Sequence, residues 1–461
     1  MNIAKHISKT YNKIFKFYYK YQLRHIAKNF NKRQKNFNTI NLDLKIAKYC
    51  DKLITNIELK NLEVINNNIA ILASNFYDAG GHTECVKNTI NSLYQCYKIG
   101  TFLTRIDTSK NFAPKKTEKI KEKSFIDGIE SDFKKFSNFE ADLLLLLEKI
   151  IKHSPRVIIA YIHMNDVYAV ALLHLIKKYT KIKVLYFNHA THIPALGFNF
   201  ADMVLEEIPV TMYVTNKYRG INRCHIVGLP MDFKENTRYY DNSEIEKIRL
   251  ELGIKNGDFV TMTACNAAKL FDSKKSSRYF EMIKSILNKH SKIKHVIISD
   301  LNKWMIKLID KIFEDFPEEK SRIIFHNSVA NFDVYVQSCD VFIDSFPFSS
   351  ALTQIDLMRN KKPAIVKVNN ENAVFSFHEF MDKEYPLIYS EIKDIESAIA
   401  NLMDNTDLQK RAVEINYNHY LKNFEGLATK NKYSNIIENS DNLEKFYDKI
   451  DGNIRYNLKI N

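Results

Sequence analysis

Cys339-Asp340-Val341-Phe342-Ile343-Asp344-Ser345-Phe346-Pro347-Phe348-Ser349-Ser350-Ala351-Leu352-Thr353-Gln354-Ile355-Asp356-Leu357-Met358 decides how this chain is read. An apolar, β-rich run ends on Asp344, a proline turn follows, and two serines open a helical pattern. Ser349 or Ser350 can cap that helix, leaving its unpaired N–H groups and its dipole to attract a phosphate. Thr353 lies one turn in and adds a hydroxyl. Asp356, three residues further on, shares its face, where a carboxylate reaches ribose hydroxyls. Phosphate at a helix N-terminus and ribose on a carboxylate together describe a nucleotide site.

Outward from this stretch, short β-rich runs alternate with longer helical patterns, as parallel sheets with crossover helices require. In the first half the runs are 69–74, 100–105, 156–162, 183–187, 211–215 and 224–227; in the second they are 259–264, 295–299, 322–326, 341–344 and 363–368. Gly228-Leu229-Pro230 brings both chain breakers together in a sequence poor in each, so the linker is expected there. The expected fold class is α/β: two Rossmann-like doubly wound domains facing a cleft, with a basic amphipathic helical extension at the N-terminus. The expected boundaries are 1–60 for the extension, 61–228 for the first domain, 229–405 for the second and 406–461 for C-terminal helices. Residues 108–140, polar and lysine-rich, read as an insertion or mobile loop. With 461 residues, 45% of them hydrophobic and 26% charged, the chain can bury a core in each domain.

Doubly wound domains bind at the carboxyl ends of their strands. After the run 259–264 come Lys269 and Lys274, placed between a strand end and a helix start, where an anion is already favoured. Both are candidate clamps for a pyrophosphate. After the first run of the first half stand Asp78, Gly80, Gly81 and His82; paired glycines let a backbone approach a ligand, and His82 falls in the first turn of the next helix. Two further strand ends carry His163 and the segment Asn188-His189-Ala190-Thr191-His192. Histidine titrates near neutrality and serves as base or donor. His82 and His189 are the candidate catalytic bases, with Asp78, Gly80, Gly81, His163, Asn188 and His192 lining an acceptor site. His189 and His192 lack a third ligand at metal-site spacing, and no Asp-x-Asp is placed to hold a metal on a diphosphate, so no metal is expected.

The segment Val260–Val368 resembles the catalytic domain of the O-GlcNAc transferases and the bacterial cytoplasmic N-glycosyltransferases, which have the GT-B fold. Their donor loops likewise run strand, Asp, short Pro turn, small polar residues, Thr, Asp and helix. The resemblance implies a UDP-sugar donor, with Lys269, Ser349 and Ser350 on the pyrophosphate, Thr353 beside them, and Asp356 on the ribose. It also implies that the base is seated after Arg322, around Asn327–Ala330. The Asn-His-Ala-x-His segment resembles bacterial surface-polysaccharide transferases. Retaining transferases of this fold usually carry Glu-x7-Glu here; with Asp356 as the second acid, the first position falls on Phe348, which leans the reading towards inversion. No cofactor is implied beyond the UDP-sugar co-substrate. The acceptor expected is a lipid-linked glycan or surface-polysaccharide precursor, then a protein. The alternatives are a UDP-sugar 2-epimerase on the same fold and a membrane-attached scaffold with an inactive nucleotide site.

The net charge of +14 is unevenly placed, since residues 1–37 contain ten Lys or Arg and no acid, leaving +4 for the rest. Lys5, Lys9, Lys13, Lys16, Lys20, Arg24 and Lys28 recur at helical spacing, while Ile3, Ile7, Tyr11, Phe15 and Tyr18 follow the same period. Such a helix suits an anionic membrane surface, each nearby cation contributing on the order of 1 kcal/mol; packing against the body is the other reading, and nucleic acid is not expected. Six cysteines without a C-x-x-C pair point to a reducing compartment. With no signal-like opening and no apolar run of spanning length, the expected place is the cytoplasm, including the inner face of its membrane.

Overall fold

The computed structural model describes residues 2–33, 36–55, 57, 65–77, 81–105, 114–129, 136, 138–189, 191–329, 331–450 and 456–458. Asp78, Gly80 and Ala330 therefore lie outside the described residues. The chain forms two compact units: Met1–Asp232 with Thr429–Gly452, and Phe233–Ala428 with Asn453–Ile460. The division falls just past Gly228-Leu229-Pro230, and the segment 406–461 is itself shared between the two units.

The first unit is built on seven parallel strands: β1 (Ile65–Ala73), β2 (Lys98–Leu103), β3 (Phe125–Gly128), β4 (Pro155–Tyr161), β5 (Lys183–Phe187), β6 (Met203–Glu206) and β7 (Cys224–Ile226). Their order is β3-β2-β1-β4-β5-β6-β7. The chain winds outward from β1 one way and then resumes at β4 on the other side, so the switch point lies between these two. Residues 69–73 and 157–161 are wholly buried, as near-continuous apolar runs must be when helices cover both faces.

The second unit carries six parallel strands: β8 (Phe259–Ala264), β9 (Ile293–Ile298), β10 (Ile323–His326), β11 (Val341–Ile343), β12 (Ala364–Lys367) and β13 (Ile388–Tyr389). Their order, β10-β9-β8-β11-β12-β13, puts its switch point between β8 and β11. The decisive stretch leaves the sheet at that point.

Two sequence expectations are corrected. Residues 211–215 do not form a strand: Pro209 opens a helix, Pro209–Val214, and the Thr211 hydroxyl closes its first turn on the Ile208 carbonyl at 2.7 Å. The strand of that region is β6, hidden from pattern reading because it is short and ends on the buried acid Glu206. The supposed insertion 108–140 holds the helix Pro114–Lys121 and the edge strand β3, which pairs on one side with β2 and so tolerates polar residues.

The N-terminal extension is more than an appendage. Its first helix, Asn2–Arg33, buries Leu23, Ala27 and Phe30, and a second, Ile40–Leu53, joins the same core. Asp43 on that second helix is fully buried and accepts the backbone N–H of Gly197 at 2.8 Å and of Asn199 at 3.3 Å. Thr39 donates to the Ala195 carbonyl at 2.7 Å. The extension thus shapes the segment that follows His192. Among the described residues no helix is long and apolar enough to cross a membrane.

Within the second unit Gly426 opens the helix Gly426–Glu438 directly against Phe233, where an added Cβ would stand 2.7 Å from the backbone nitrogen and 2.8 Å from Cα. Backbone cannot swing aside as a side-chain tip can. Gly426→Ala should therefore cost about 1–3 kcal/mol, read by scanning calorimetry as a drop of several degrees; an unchanged midpoint would contradict this packing.

Candidate functional site

In the second unit the loops leaving β8 and β11 meet. Lys269 sits in a short turn after β8, opened by Asn266, whose side chain accepts the Ala268 N–H at 3.1 Å. Its ammonium donates to the Ser349 carbonyl at 2.8 Å, reaches the Ser350 hydroxyl at 3.5 Å, and lies 4.5 Å from the centre of the Phe348 ring. Lys269 and the serines, eighty residues apart in sequence, are thus assembled at the switch point. The aromatic that occupies the first acid position of the Glu-x7-Glu pattern covers the lysine instead.

Asp344 organises this loop. Its fully buried carboxylate accepts the Ser349 hydroxyl, the Ser350 backbone N–H at 3.2 Å and the Gln354 amide at 2.8 Å. Burial pushes its pKa up to about 6, against the pull of the Ser349 hydroxyl, the Ser350 N–H and the Lys269 charge. The expectation that Ser349 or Ser350 caps the helix with its own side chain is corrected here. The Ser349 hydroxyl is spent on Asp344 and on Gln354, and Ser350 stands at the cap position without a side-chain cap bond. The helix Ala351–Arg359 still leaves its first N–H groups without intrahelical acceptors, which is the property that attracts an anion.

Thr353 donates to the Ala264 carbonyl at 3.3 Å, tying the helix to the end of β8. Asp356 is partly exposed and pairs with Arg359 at 2.9 Å, an arginine shared with Asp333 at 2.7 Å. Asn327 is exposed beside a cavity of about 430 Å³ lined by Ser299, Leu301, Ile306, Phe325 and His326, at the carboxyl ends of β9 and β10. Asp300 ties those two strand ends by accepting the Ser328 N–H at 3.1 Å and its hydroxyl at 2.6 Å. Lys274 is exposed on the turn closed by the Ser273–Ser276 bridge, and no contact joins it to Lys269 and the serines among the described residues.

In the first unit three histidines from three different segments come together at the carboxyl ends of the adjacent strands β1, β4 and β5. Ring centres of His82 and His189 are 4.8 Å apart, of His82 and His163 5.0 Å, and of His163 and His189 6.3 Å. Tyr77 packs edge-on at 5.2 Å from His163. His82 Nε2 lies 2.9 Å from the Tyr161 carbonyl, an acceptor, so this nitrogen carries the hydrogen and Nδ1 presents a lone pair. All three rings are held neutral. Burial lowers each pKa, neighbouring histidines lower those of His163 and His189 further, and His163 falls to about 3. His82 Nδ1, His163 Nε2, His189 Nδ1 and both amide atoms of the buried Asn75 lack hydrogen-bond partners among the described residues. Buried polar atoms without partners are uncommon, and these five lie together at the carboxyl ends of three neighbouring strands, where they are able to contact a polar ligand.

The scaffold beneath them is Asp166, buried at the start of the helix Val167–Tyr179. It accepts the hydroxyls of Ser74 and Thr104 and the backbone N–H of Ala169 at 2.9 Å, and the Ser74 hydroxyl in turn accepts the backbone N–H of His163 at 2.8 Å. Gly81 begins the helix Gly81–Leu93 that carries His82. His192 is partly exposed one turn beyond His189. Asn188 does not line an open site. It is buried, and its amide donates to Glu206 at 3.0 Å and to Thr215 at 3.2 Å, inside the β5–β6 layer. Asn75, Tyr77, Asp166 and Gln354 escape sequence reading; the one signal for them is a polar residue placed where the pattern asks for an apolar one. Among the described residues no group of three His, Cys, Asp or Glu is arranged to hold a metal ion.

No protein-family model matches the chain, and no curated protein matches it in sequence. Solved structures do resemble it. HepE from Anabaena, in complex with UDP and glucose, superposes with a TM-score of 0.62 at 12% identity, over 81% of this chain and all of that one. A glycosyltransferase from Rickettsia africae gives 0.64 at 11% identity, over 82% and 100%. The O-GlcNAc transferase of Thermobaculum terrenum gives 0.56 at 9%, over 92% of this chain and 78% of its own. At such identities the likeness is one of fold, and the fold is GT-B.

An unfolded imidazole titrates near 6.5, whereas burial keeps these neutral to lower pH, so their contribution to stability is complete above 6.5 and is lost as pH falls from there, for His163 towards its folded value of about 3. Unfolding free energy should decline on acidification below 6.5 by up to about 1.4 kcal/mol per pH unit for each such group. His163→Gln should remove one share of that slope in urea titrations at a series of pH values. Coincident slopes for the two proteins would show that His163 is not desolvated.

Proposed function

We propose that the protein is a glycosyltransferase that moves a sugar from a UDP-linked donor to a glycan or lipid-linked acceptor. The observation that carries this reading is the assembly of Lys269, Ser350 and the start of helix Ala351–Arg359 at the β8/β11 switch point, organised by the buried Asp344. The resemblance to HepE, solved with UDP, supports the choice of nucleotide. So does the resemblance to the UDP co-structure of MnaA from S. aureus, at a TM-score of 0.52 and 14% identity.

In this reading Lys269 and the helix N-terminus hold the diphosphate and stabilise the negative charge that grows on it as the glycosidic bond to the sugar breaks. Thr353 adds a hydroxyl beside the phosphates. Asp356, already oriented by Arg359, accepts from the ribose, and the strand ends bridged by Asp300 and Ser328 seat the base near Asn327. The acceptor hydroxyl must lose a proton as it attacks. A neutral imidazole with an unpaired ring nitrogen is suited to take it, and His82 and His189 are the residues assigned that part, with His163 and His192 positioning the acceptor. Inversion follows from a single displacement of this kind, with the leaving charge met by a lysine and a helix dipole, and without a cofactor.

A ligand that binds only the folded chain at a hundred times its Kd stabilises it by about 2.7 kcal/mol. UDP and a UDP-sugar should therefore raise the thermal midpoint where ADP and GDP do not. Calorimetry should show Lys269→Ala and Asp356→Ala each weakening UDP by about tenfold or more. If no nucleotide shifts the midpoint, or if both variants bind UDP as the parent does, the assignment fails. Release of UDP that depends on an added acceptor separates transfer from donor isomerisation.

A further inference from the structure

The first helix, Asn2–Arg33, has two unlike faces. Leu23, Ala27 and Phe30 are buried in the core of the first unit. On the opposite side Phe17 is 74% exposed and Tyr21 55%, one turn apart, with Phe15 and Tyr18 flanking them at about half exposure. Lys28 is exposed on the same stripe, three turns from Phe17. Isolated apolar residues on a surface are ordinary, but four large aromatics within seven residues are not a scatter.

Charge sharpens this choice of partner. Residues 1–37 hold ten cations and no acid. Among the described residues Lys16 and Lys20 pair with Glu140 at 3.3 and 3.4 Å, while Lys28 is exposed. Aromatic rings among cations suit the boundary between lipid head groups and acyl chains, where the rings settle and the cations meet anionic phosphates. The phenylalanines have no polar group to satisfy in water or on a nucleic-acid backbone, which favours the apolar boundary. We infer that the outward face of helix Asn2–Arg33, centred on Phe17 and Tyr21, docks on an anionic lipid bilayer. The buried face of the same helix holds the protein to that surface through its own core. This surface stands apart from the transferase reading, since it uses no residue of either candidate site.

The test uses the full chain and vesicles of phosphatidylcholine with or without phosphatidylglycerol. Each cation near an anionic surface raises partitioning roughly fivefold, so sedimentation should be strong with the anionic vesicles, weak with the neutral ones, and reduced at about 0.5 M salt. Phe17→Ser with Tyr21→Ser should lower binding to anionic vesicles by about tenfold or more, and Lys28→Glu should lower it separately. Thermal midpoint and UDP response, read on the same samples, are expected to stay at the parent values because all three side chains are exposed. Equal binding to neutral vesicles, parental binding by both variants, or tight binding to duplex DNA with none to vesicles would overturn the proposal.

Discussion

A buried carboxylate at the carboxyl edge of each sheet is the constraint on which both candidate sites depend. Asp166 lies beside the β1/β4 switch point and Asp344 beside the β8/β11 one, and both are wholly buried. Each accepts hydroxyl donors and a backbone N–H at the start of a helix: Ser74, Thr104 and Ala169 in the first unit, Ser349 and Ser350 in the second, where Gln354 adds its amide. A carboxylate in such a place would be costly unless its lone pairs were met, so loops that supply the donors are held firmly in one conformation. That rigidity is transferred to the groups with chemistry. In the first unit it sets His163 through Ser74, and in the second it sets the serine carbonyl on which Lys269 rests.

Switch points are where such rigidity is useful. There the helices leaving neighbouring strands go to opposite faces and leave a crevice that no crossover fills. Polar side chains gathered in a crevice are partly desolvated, and the effect on histidine is to keep it neutral. Three imidazoles within a few ångströms cannot all be charged at little cost, so His82 lowers His163, and both of them lower His189. The result is a set of neutral rings with unpaired nitrogens at pH values where isolated histidine would be partly protonated.

The N-terminal extension joins the same logic from outside. Its second helix sends Asp43 inward to take the N–H groups of Gly197 and Asn199, and burial raises that carboxyl to about 7. Arg219, also wholly buried, donates to the Ile193 carbonyl at 2.9 Å and stacks its guanidinium 4.5 Å from the Phe198 ring. The segment after His192 is therefore held by two buried ionisable residues, Asp43 and Arg219. A helix whose inner face belongs to this core and whose outer face is aromatic and basic ties a surface to the body without a flexible joint.

By itself the sequence determined the α/β class, most of the strands, the strand-turn-helix course of the stretch around Asp344 and the charge of the extension. Each of these is written in local pattern: apolar runs at strand length, a serine-led helix after an acid, cations every third or fourth residue. The places of Lys269 in a turn after a strand and of Thr353 in the first turn of a helix were legible because each needs only local geometry. Only the tertiary structure decided that Ser349 turns its hydroxyl to Asp344, that Asn188 serves Glu206 inside the sheet, and that His82, His163 and His189 share one cluster while Lys274 stands apart. These are choices among partners tens of residues away, and they follow from which strands are neighbours. The helix at Pro209–Val214 has the same origin, since a single proline and a threonine cap outweighed a β-branched composition once β6 had taken the place in the sheet.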